Sequence, residues 1–178
     1  TVCDARPDLK NNKNFNFLKN KKIVNWKTGK DYDNKLENYD IVFRSPGFPL
    51  FNPNLVRAKN KGVEISSPMK LFFDICPSKN IIGVTGTKGK GTTSSLIFHI
   101  LKKSGKQVFL GGNIGVAPFE FFEKIKKTDW VVLELSSFQL EDLYKSPKIA
   151  VFTNFYKEHL KPADPNNPNY HKKLKDYL

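Results

Sequence analysis

The segment Gly-Val-Thr-Gly-Thr-Lys-Gly-Lys-Gly-Thr-Thr, at residues 83–93, is the most informative part of the sequence. It follows a short apolar run at 81–84 and precedes a segment whose apolar residues recur at helical spacing. Glycines allow backbone N–H groups to approach phosphate oxygens, and the N-terminus of a helix adds partial positive charge. This strand, loop and helix therefore predict a P-loop, in which Lys90 reaches the β- and γ-phosphates of a nucleotide.

The loop departs from the common P-loop spacing in two places. In the pattern GxxxxGK[ST], the first glycine falls at Val84 and the hydroxyl residue falls at Gly91. Thr92 must then supply the hydroxyl that holds Mg²⁺, with Thr93 in reserve. The alternative is a glycine-rich turn that only caps a helix, but such a cap rarely needs three glycines and two lysines. The residues predicted to bind the nucleotide are Gly86, Thr87, Lys88, Gly89, Lys90, Gly91, Thr92 and Thr93.

Predicted strands and helices alternate on both sides of this loop. The apolar patterns after it predict helices at 92–104, 116–127 and 171–178, and strands at 108–110, 130–133 and 149–152. The patterns before it predict strands at 23–24, 39–43 and 63–65, and a helix at 53–61. The alternation predicts an α/β fold with a mostly parallel sheet and helices on both faces. A boundary near residue 78 divides the chain into predicted domains at 1–78 and 79–178.

Composition narrows the class of protein. The 178 residues are 39% hydrophobic, which is enough for a packed core. The net charge of +13 has two interpretations, a surface that binds polyanions or lysines spread over a solvated surface, and the scattering of the lysines favours the second. Cys3 and Cys76 form no disulfide scaffold or zinc motif. No apolar run approaches the roughly 20 residues of a membrane span, and no signal peptide is visible, so we expect a cytoplasmic protein.

The exact spacing of the loop resembles that of two enzyme groups. The pattern GxxGxxGKxTT is typical of the Mur ligases and the folylpolyglutamate synthases. Further segments look like the Mur ligase family, and in particular like its D-glutamate-adding branch. In chain order these segments are Asp-Ala-Arg at 4–6, Ser-Pro-Gly at 45–47, Gly-Gly-Asn-Ile-Gly at 111–115, Leu-Glu-Leu-Ser-Ser-Phe-Gln-Leu-Glu at 133–141, Thr-Asn at 153–154 and Glu-His-Leu at 158–160.

The resemblance implies ATP-dependent amide formation. ATP phosphorylates the carboxylate of UDP-N-acetylmuramoyl-L-alanine, and the amine of D-glutamate then displaces phosphate from the acyl phosphate, in peptidoglycan synthesis. It implies ATP and Mg²⁺ as cofactors, these two substrates as partners, no specific nucleic acid, no membrane and a monomer. It also implies that residues 1–78 are part of a small Rossmann-like domain that binds the UDP substrate. The C-terminal domain of the family lies outside the chain, so we expect the chain alone to be inactive.

The resemblance assigns roles to residues of the predicted sheet edge and its turns. Glu134 ends an apolar strand, where ligands collect in open α/β sheets, and its carboxylate suits Mg²⁺ together with Thr92. His159 follows the fourth strand and is assigned a second metal ion or the acyl phosphate. Lys90 and His159 are the predicted catalytic residues. The predicted substrate-binding residues are Ser45, Pro46, Gly47, Asn113, Ser136 and Gln139.

Two alternatives remain open at this point. A sister Mur ligase or a folylpolyglutamate-type ligase shares the loop and the reaction, although the Ser-Ser-Phe-Gln and Ser-Pro-Gly segments argue against it. The other alternative is a non-catalytic P-loop module that binds nucleotides or nucleic acid, as the +13 charge allows. Such a module would bind DNA or RNA with a steep dependence on salt.

Overall fold

The computed structural model describes residues 1–9, 13–21, 25–161 and 169–177. The chain forms two compact units. The first comprises Thr1–Val42 and Leu50–Ile65, and the second comprises Phe43–Pro49 and Ser66–Leu178. The predicted domains at 1–78 and 79–178 stay a prediction. None of the helices in the described ranges is both long and apolar enough to cross a membrane.

The first unit is built from short elements. Its strands and helices are β1 (Val2–Asp4), α1 (Lys13–Lys21), β2 (Trp26–Thr28), a 3₁₀ turn (Leu36–Asn38), β3 (Ile41–Phe43), α2 (Pro53–Asn60) and β4 (Glu64–Ser66), and the chain passes to the second unit within β3 and at the end of β4. β1 pairs with β2 in parallel. The side chain of Asn52 caps α2 by accepting hydrogen bonds from the N–H groups of Asn54 (2.8 Å) and Leu55 (3.2 Å). The predicted helix at 53–61 is therefore confirmed, whereas the predicted strand at 23–24 lies outside the described residues.

The second unit contains a four-stranded parallel sheet. Its elements are α3 (Pro68–Ile75), β5 (Asn80–Thr85), α4 (Lys90–Lys103), β6 (Val108–Gly112), α5 (Pro118–Phe121), a 3₁₀ turn (Phe122–Lys124), β7 (Trp130–Glu134), α6 (Ser137–Leu140), β8 (Ile149–Phe152) and α7 (Leu174–Tyr177). The strand order is β6-β7-β5-β8, and every neighbouring pair is parallel. The strands predicted in this half of the chain are confirmed.

Helices cover both faces of this sheet. Side chains alternate along each strand, so Ile81, Val131 and Leu133 pack on one face with the helix α3 and with Phe121 of α5. Ile82, Val84 and Val132 point to the other face, and α4 covers them. The full list on the α4 side also includes Val108, Ile97, Phe98, Leu101, Leu110, Trp130 and Val151. The predicted α/β class with helices on both faces is confirmed.

The register brings the carboxyl ends of all four strands to one edge. Glu134 of β7 lies opposite Val84 of β5 on one side and opposite Gly112 of β6 on the other. On the far side of β5, Thr85 lies opposite Phe152 of β8. The P-loop, the Gly-Gly-Asn turn and the Thr-Asn segment therefore all leave the sheet at this edge.

Two predicted helices are shorter than the sequence suggested. The helix at 116–127 is only α5 followed by a 3₁₀ turn, because Phe121 leaves α-helical geometry (φ −114°, ψ 1°). This break allows Phe121 to stack on Phe109 of β6, with ring centroids 5.2 Å apart, and buries Ile125 against the sheet. The helix at 171–178 is reduced to α7, because His171 precedes it in a buried position.

The central sheet carries the buried core of the second unit. Leu133 is fully buried, whereas Leu96 on the outer side of α4 is 59% exposed. We expect Leu133→Ala to lower the free energy of unfolding by about 2–5 kcal/mol, because it leaves a cavity in the core. The matched variant Leu96→Ala should cost less than about 1 kcal/mol. Urea denaturation of both variants measures the difference, and equal losses would contradict this assignment of the core.

Candidate active site at the carboxyl edge of the sheet

The P-loop folds around the ammonium group of Lys90. Gly89, at φ 81°, precedes the first residue of α4, and this left-handed conformation favours glycine. The Nζ atom of Lys90 donates hydrogen bonds to the carbonyl oxygens of Gly86 and Thr87, both at 2.9 Å. The positive charge therefore lies within the loop, at the N-terminus of a 14-residue helix. A P-loop places a nucleotide phosphate in this position.

The segment after β8 fixes the backbone of this loop. The side chain of Asn154 accepts a hydrogen bond from the N–H of Lys88 and donates one to its carbonyl oxygen, both at 2.9 Å. The hydroxyl of Thr153 donates to the same carbonyl oxygen at 2.7 Å. The N–H of Thr87 donates in turn to the carbonyl of Asn154. The Thr-Asn segment, to which the sequence assigned no role, thus supports the loop.

Thr87 uses its hydroxyl to hold the loop in place. Its Oγ1 atom accepts a hydrogen bond from the N–H of Tyr156 at 2.9 Å and lies 2.8 Å from the hydroxyl of Tyr177 in α7. The side chain of Thr87 is buried by these contacts. A nucleotide would therefore meet the backbone of Thr87 rather than its side chain.

Glu134 lies against the first turn of α4. Its carboxylate is buried, and its Oε1 atom accepts a hydrogen bond from the side chain of Asn113 at 3.0 Å. The N–H of Asn113 also donates to the carbonyl oxygen of Glu134 at 2.8 Å. Asn113, predicted to bind substrate, therefore orients the predicted metal ligand.

Position 91 explains the departure from the common loop pattern. A Cβ atom at Gly91 would lie 3.1 Å from Oε2 of Glu134 and 2.9 Å from Cδ1 of Ile114. Glycine thus leaves room for the carboxylate beside the helix, and Thr92 is the next residue with a hydroxyl. The described residues include no group of three or more His, Cys, Asp or Glu side chains that could hold a metal ion. A Mg²⁺ ion at Glu134 would need oxygens from phosphate, hydroxyl and water, which are ligands that Mg²⁺ accepts.

Ser136 and Gln139 form a capping box at the start of α6. The N–H of Gln139 donates to Oγ of Ser136 at 3.3 Å, and the N–H of Ser136 donates to Oε1 of Gln139 at 2.9 Å. Local structure therefore uses the oxygen atoms of both predicted substrate residues, while the cap leaves the NH₂ group of Gln139 available. Gln139 and Pro46 line a mostly apolar cavity of about 150 Å³. The other residues that line it are Arg44, Ser67, Pro68, Met69, Gly112, Ala117, Pro118, Phe119 and Phe138.

The Ser-Pro-Gly segment forms a turn next to this cavity. The N–H of Phe48 donates to the carbonyl of Ser45 at 2.9 Å, which closes the turn. The N–H groups of Ser45 and Gly47 donate no hydrogen bond to any other residue that the structure describes. Two backbone donors in one turn are suited to an anionic oxygen.

His159 lies in an aromatic cluster with Phe138 and Tyr177. It adopts a left-handed backbone conformation (φ 60°), and its ring packs edge-on against Phe138 with centroids 5.1 Å apart. The ring of Tyr177 lies 6.1 Å away. The structure thus joins His159 to α6 through Phe138 and to the P-loop through Tyr177, whose hydroxyl lies 2.8 Å from Oγ1 of Thr87. Its predicted metal role stays a prediction.

His171 is the residue of this cluster that the sequence missed. It is buried, stacks on Phe138 with centroids 4.8 Å apart, and places Nε2 2.9 Å from Oγ of Ser137. Burial, with the nearby His159, lowers the pKa of its imidazole below the ordinary 6.5. No local pattern distinguishes such a histidine, because its burial depends on contacts between residues far apart in sequence.

The parallel sheet, the glycine loop and the acidic residue at the end of the neighbouring strand define a P-loop α/β protein. The family model described as the Mur ligase middle domain matches residues 84–178, and the chain belongs to the Mur ligase family.

Relatives with the name UDP-N-acetylmuramoylalanine–D-glutamate ligase resemble the chain over most of its length. The protein from Acetivibrio thermocellus is 43% identical over 155 residues, which cover 87% of this chain and 31% of the relative. That from Clostridium tetani is 41% identical over 178 residues, covering 100% and 37%. That from Clostridium kluyveri is 43% identical over 157 residues, covering 88% and 32%. The chain therefore spans about a third of the length of these relatives.

Gly86 and Gly89 provide a matched test of the loop geometry. Both have positive φ, but a Cβ atom at Gly86 would collide with Oγ1 of Thr153 and lie 2.9 Å from the carbonyl oxygen of Asn154. A Cβ atom at Gly89 would meet nothing within 4 Å. We expect Gly89→Ala to cost about 1–2 kcal/mol from backbone strain alone, and Gly86→Ala about 3 kcal/mol or more. Denaturant unfolding measures both, and equal losses would show that the Thr-Asn segment does not pack on the loop.

The lowered pKa of His171 leads us to expect that the stability of the fold depends on pH. Because its folded pKa lies below 6.5, the unfolded chain binds the proton more readily, and stability falls as the pH drops below about 6.5. Burial raises the pKa of Glu141, and this shift acts in the opposite direction; because Oε1 of Glu141 lies 3.5 Å from Nδ1 of His171, the comparison between variants reports on the two groups together. We expect the native protein to lose more stability than His171→Gln between about pH 7.5 and about pH 5.5. His99→Gln, at an exposed position on α4, is the control, and parallel curves for all three proteins would contradict the expectation.

Proposed function

We propose that the protein of which this chain forms part is an ATP-dependent amide ligase that joins D-glutamate to UDP-N-acetylmuramoyl-L-alanine. The observation that carries this proposal is the position of Glu134, buried beside the first turn of α4 and next to the loop that encloses Lys90. The names of the relatives support the choice of substrates. The function belongs to peptidoglycan synthesis, and we expect a cytoplasmic monomer that requires no nucleic acid or membrane.

The residues of the P-loop would bind and orient ATP. The ammonium of Lys90 would exchange its two carbonyl acceptors for oxygens of the β- and γ-phosphates, and the loop N–H groups would contact the same phosphates. The loop residues assigned to ATP are Gly86, Thr87, Lys88, Gly89, Lys90, Gly91, Thr92 and Thr93. Their contribution is positioning and charge neutralisation, because the substrate carboxylate itself attacks the γ-phosphate.

Glu134 and Thr92 would hold Mg²⁺, with Asn113 keeping the carboxylate in position. When bound, the ion would neutralise charge on the phosphates during transfer. The fit rests on donor chemistry, since one buried carboxylate and one hydroxyl leave several coordination positions for phosphate oxygens and water. His159 would act at the acyl phosphate or at a second metal ion, since it lies beside α6 and beside Tyr177, which contacts Thr87 of the P-loop.

The UDP-linked substrate would lie between the Ser-Pro-Gly turn and α6. The N–H groups of Ser45 and Gly47 would donate to the diphosphate, with Pro46 shaping the turn. Gln139 would contact the substrate from the side of the cavity. The apolar walls of the cavity suit methyl groups of the substrate. Ser136 would contribute mainly through the capping box that orients Gln139.

Substitutions at Lys90 and Glu134 in the full-length protein test the proposed roles. We expect Lys90→Ala and Glu134→Gln each to lower phosphate release on the order of 100-fold or more, because each removes charge from the transfer site. Raising Mg²⁺ should partly restore Glu134→Gln and should not restore Lys90→Ala. Lys106→Ala, at an exposed position after α4, is the control. Turnover at the native rate in either site variant would remove that residue from the proposed mechanism.

A panel of amino acids tests the choice of substrate. The full-length protein is supplied with ATP, Mg²⁺ and UDP-N-acetylmuramoyl-L-alanine, together with D-glutamate, L-glutamate, L-lysine or buffer. Phosphate release with D-glutamate alone supports the proposal. Release with another amino acid keeps the ligase chemistry and replaces the substrate, as for a sister ligase. No release in any arm, together with salt-dependent binding of DNA or RNA, would favour the non-catalytic module.

A further inference from the structure

Arg44 is a buried arginine with four hydrogen-bond acceptors around one guanidinium group. Its side chain is only 1% exposed. The Nε atom donates to Oδ2 of Asp142 at 2.8 Å, and Nη1 donates to the carbonyl of Phe48 at 3.0 Å. The Nη2 atom donates to the carbonyl of Phe138 and to Oε2 of Glu141, both at 3.0 Å. One side chain thus joins the Ser-Pro-Gly turn to α6 and to the two acidic residues that follow α6.

The composition of this network indicates a role other than stability. Asp142 is buried as well, and its second oxygen accepts a hydrogen bond from the hydroxyl of Ser67 at 2.8 Å. Burial raises the pKa of Glu141, and Arg44 opposes that rise. Taking such charges out of water is costly, and apolar residues of similar volume often stabilise a fold as well or better. We therefore explain the retention of this buried ion network by its selection of one local conformation over others.

The geometry that it fixes is that of the turn at 45–49. Arg44 holds the carbonyl of Phe48, and the side chain of Asn169 donates to the carbonyl of Pro46 at 2.6 Å. The Nδ2 atom of Asn169 also lies 3.5 Å from Oε2 of Glu141. Arg44 and Asn169, which both donate to carbonyl groups of the turn, therefore contact the same carboxylate. With its carbonyl groups held from this side, the turn keeps its two unused N–H groups in a constant position.

We propose that Arg44 is a positioning residue that fixes the turn at 45–49 on α6, so that the N–H groups of Ser45 and Gly47 meet an anionic oxygen of the UDP-linked substrate. This inference rests on the proposed function. The planar guanidinium binds carbonyls and carboxylates on several sides at once, whereas a lysine ammonium is a point charge on a flexible stem. Arg44→Lys therefore keeps the charge and releases the turn.

Hydrogen exchange of the full-length protein tests the positioning directly. In Arg44→Lys we expect the amide of Phe48, which closes the turn by donating to the carbonyl of Ser45, to exchange on the order of tenfold faster, while the amides of β5 and β7 keep their native rates. Arg57→Lys is the matched control, since Arg57 forms an exposed ion pair with Glu37. A rise of equal size across the turn and the sheet would mean general destabilisation and would overturn the inference, as would no change at the turn.

Steady-state kinetics test the consequence for the substrate. We expect Arg44→Lys to raise the KM for UDP-N-acetylmuramoyl-L-alanine on the order of tenfold, while the KM for ATP and kcat stay near the native values. A purely structural role would lower the amount of folded enzyme and leave both KM values unchanged. Equal increases in both KM values would also contradict the assignment.

A second variant covers the case in which Arg44→Lys does not fold. Asn169→Ala removes the other grip on the turn without leaving a buried charge unpaired, and it should give the same local exchange and the same selective rise in KM. Native behaviour in Asn169→Ala would then overturn the inference. If the native protein turns over no UDP-linked substrate, the proposed function fails, and the exchange comparison alone decides whether Arg44 holds the turn.

Discussion

The parallel pairing of β5 with β7 and β8 determines where the functional side chains of the second unit can meet. Because parallel strands end at the same edge, this pairing places Glu134 beside the P-loop and brings Asn154 within hydrogen-bond distance of Lys88. Neither contact could form if β7 or β8 ran in the opposite direction. The strand directions therefore determine where the site forms, and the loops supply its remaining residues.

Much of this sheet could be predicted from the sequence. β5 and β7 are short apolar runs bounded by polar or turn residues, as buried parallel strands usually are, and the edge strand β8 is a similar run although most of its residues are exposed. The helix α2 was recognisable from Pro53 and Gly62, and its cap at Asn52 supplies the expected hydrogen bonds. Patterns of this kind are local, so the sequence alone contains them.

Other parts of the fold required tertiary contacts. α3 is an exception among the missed elements, because its local signals are present: it has a cap at Ser67, a proline at its first position, and buried residues Met69, Phe72 and Phe73 at helical spacing. The early end of α5 depends on the stacking of Phe121 on Phe109, which are distant along the chain. Such packing overrides local propensity.

The candidate site also contains some features that the sequence predicted and others that it did not. The position of Lys90 and Glu134 at one edge follows from motif and strand order, both of which the sequence displays. The structural roles of Asn113, Ser136 and Thr87 could not be predicted from the sequence. Each side chain makes a hydrogen bond that orients a neighbouring residue, and such a bond is visible only in the folded chain. Arg44 and His171 were not predicted at all, because only the folded chain shows that they are buried.

The close packing around Gly91 has a consequence for how this loop can evolve. A serine or threonine at position 91 would press on Ile114 as well as on Glu134. Because the contact is with the tip of a flexible and partly exposed side chain, Ile114 would have to turn away to accommodate the common loop pattern. The substitutions tolerated at position 91 are therefore expected to depend on the side chain at position 114.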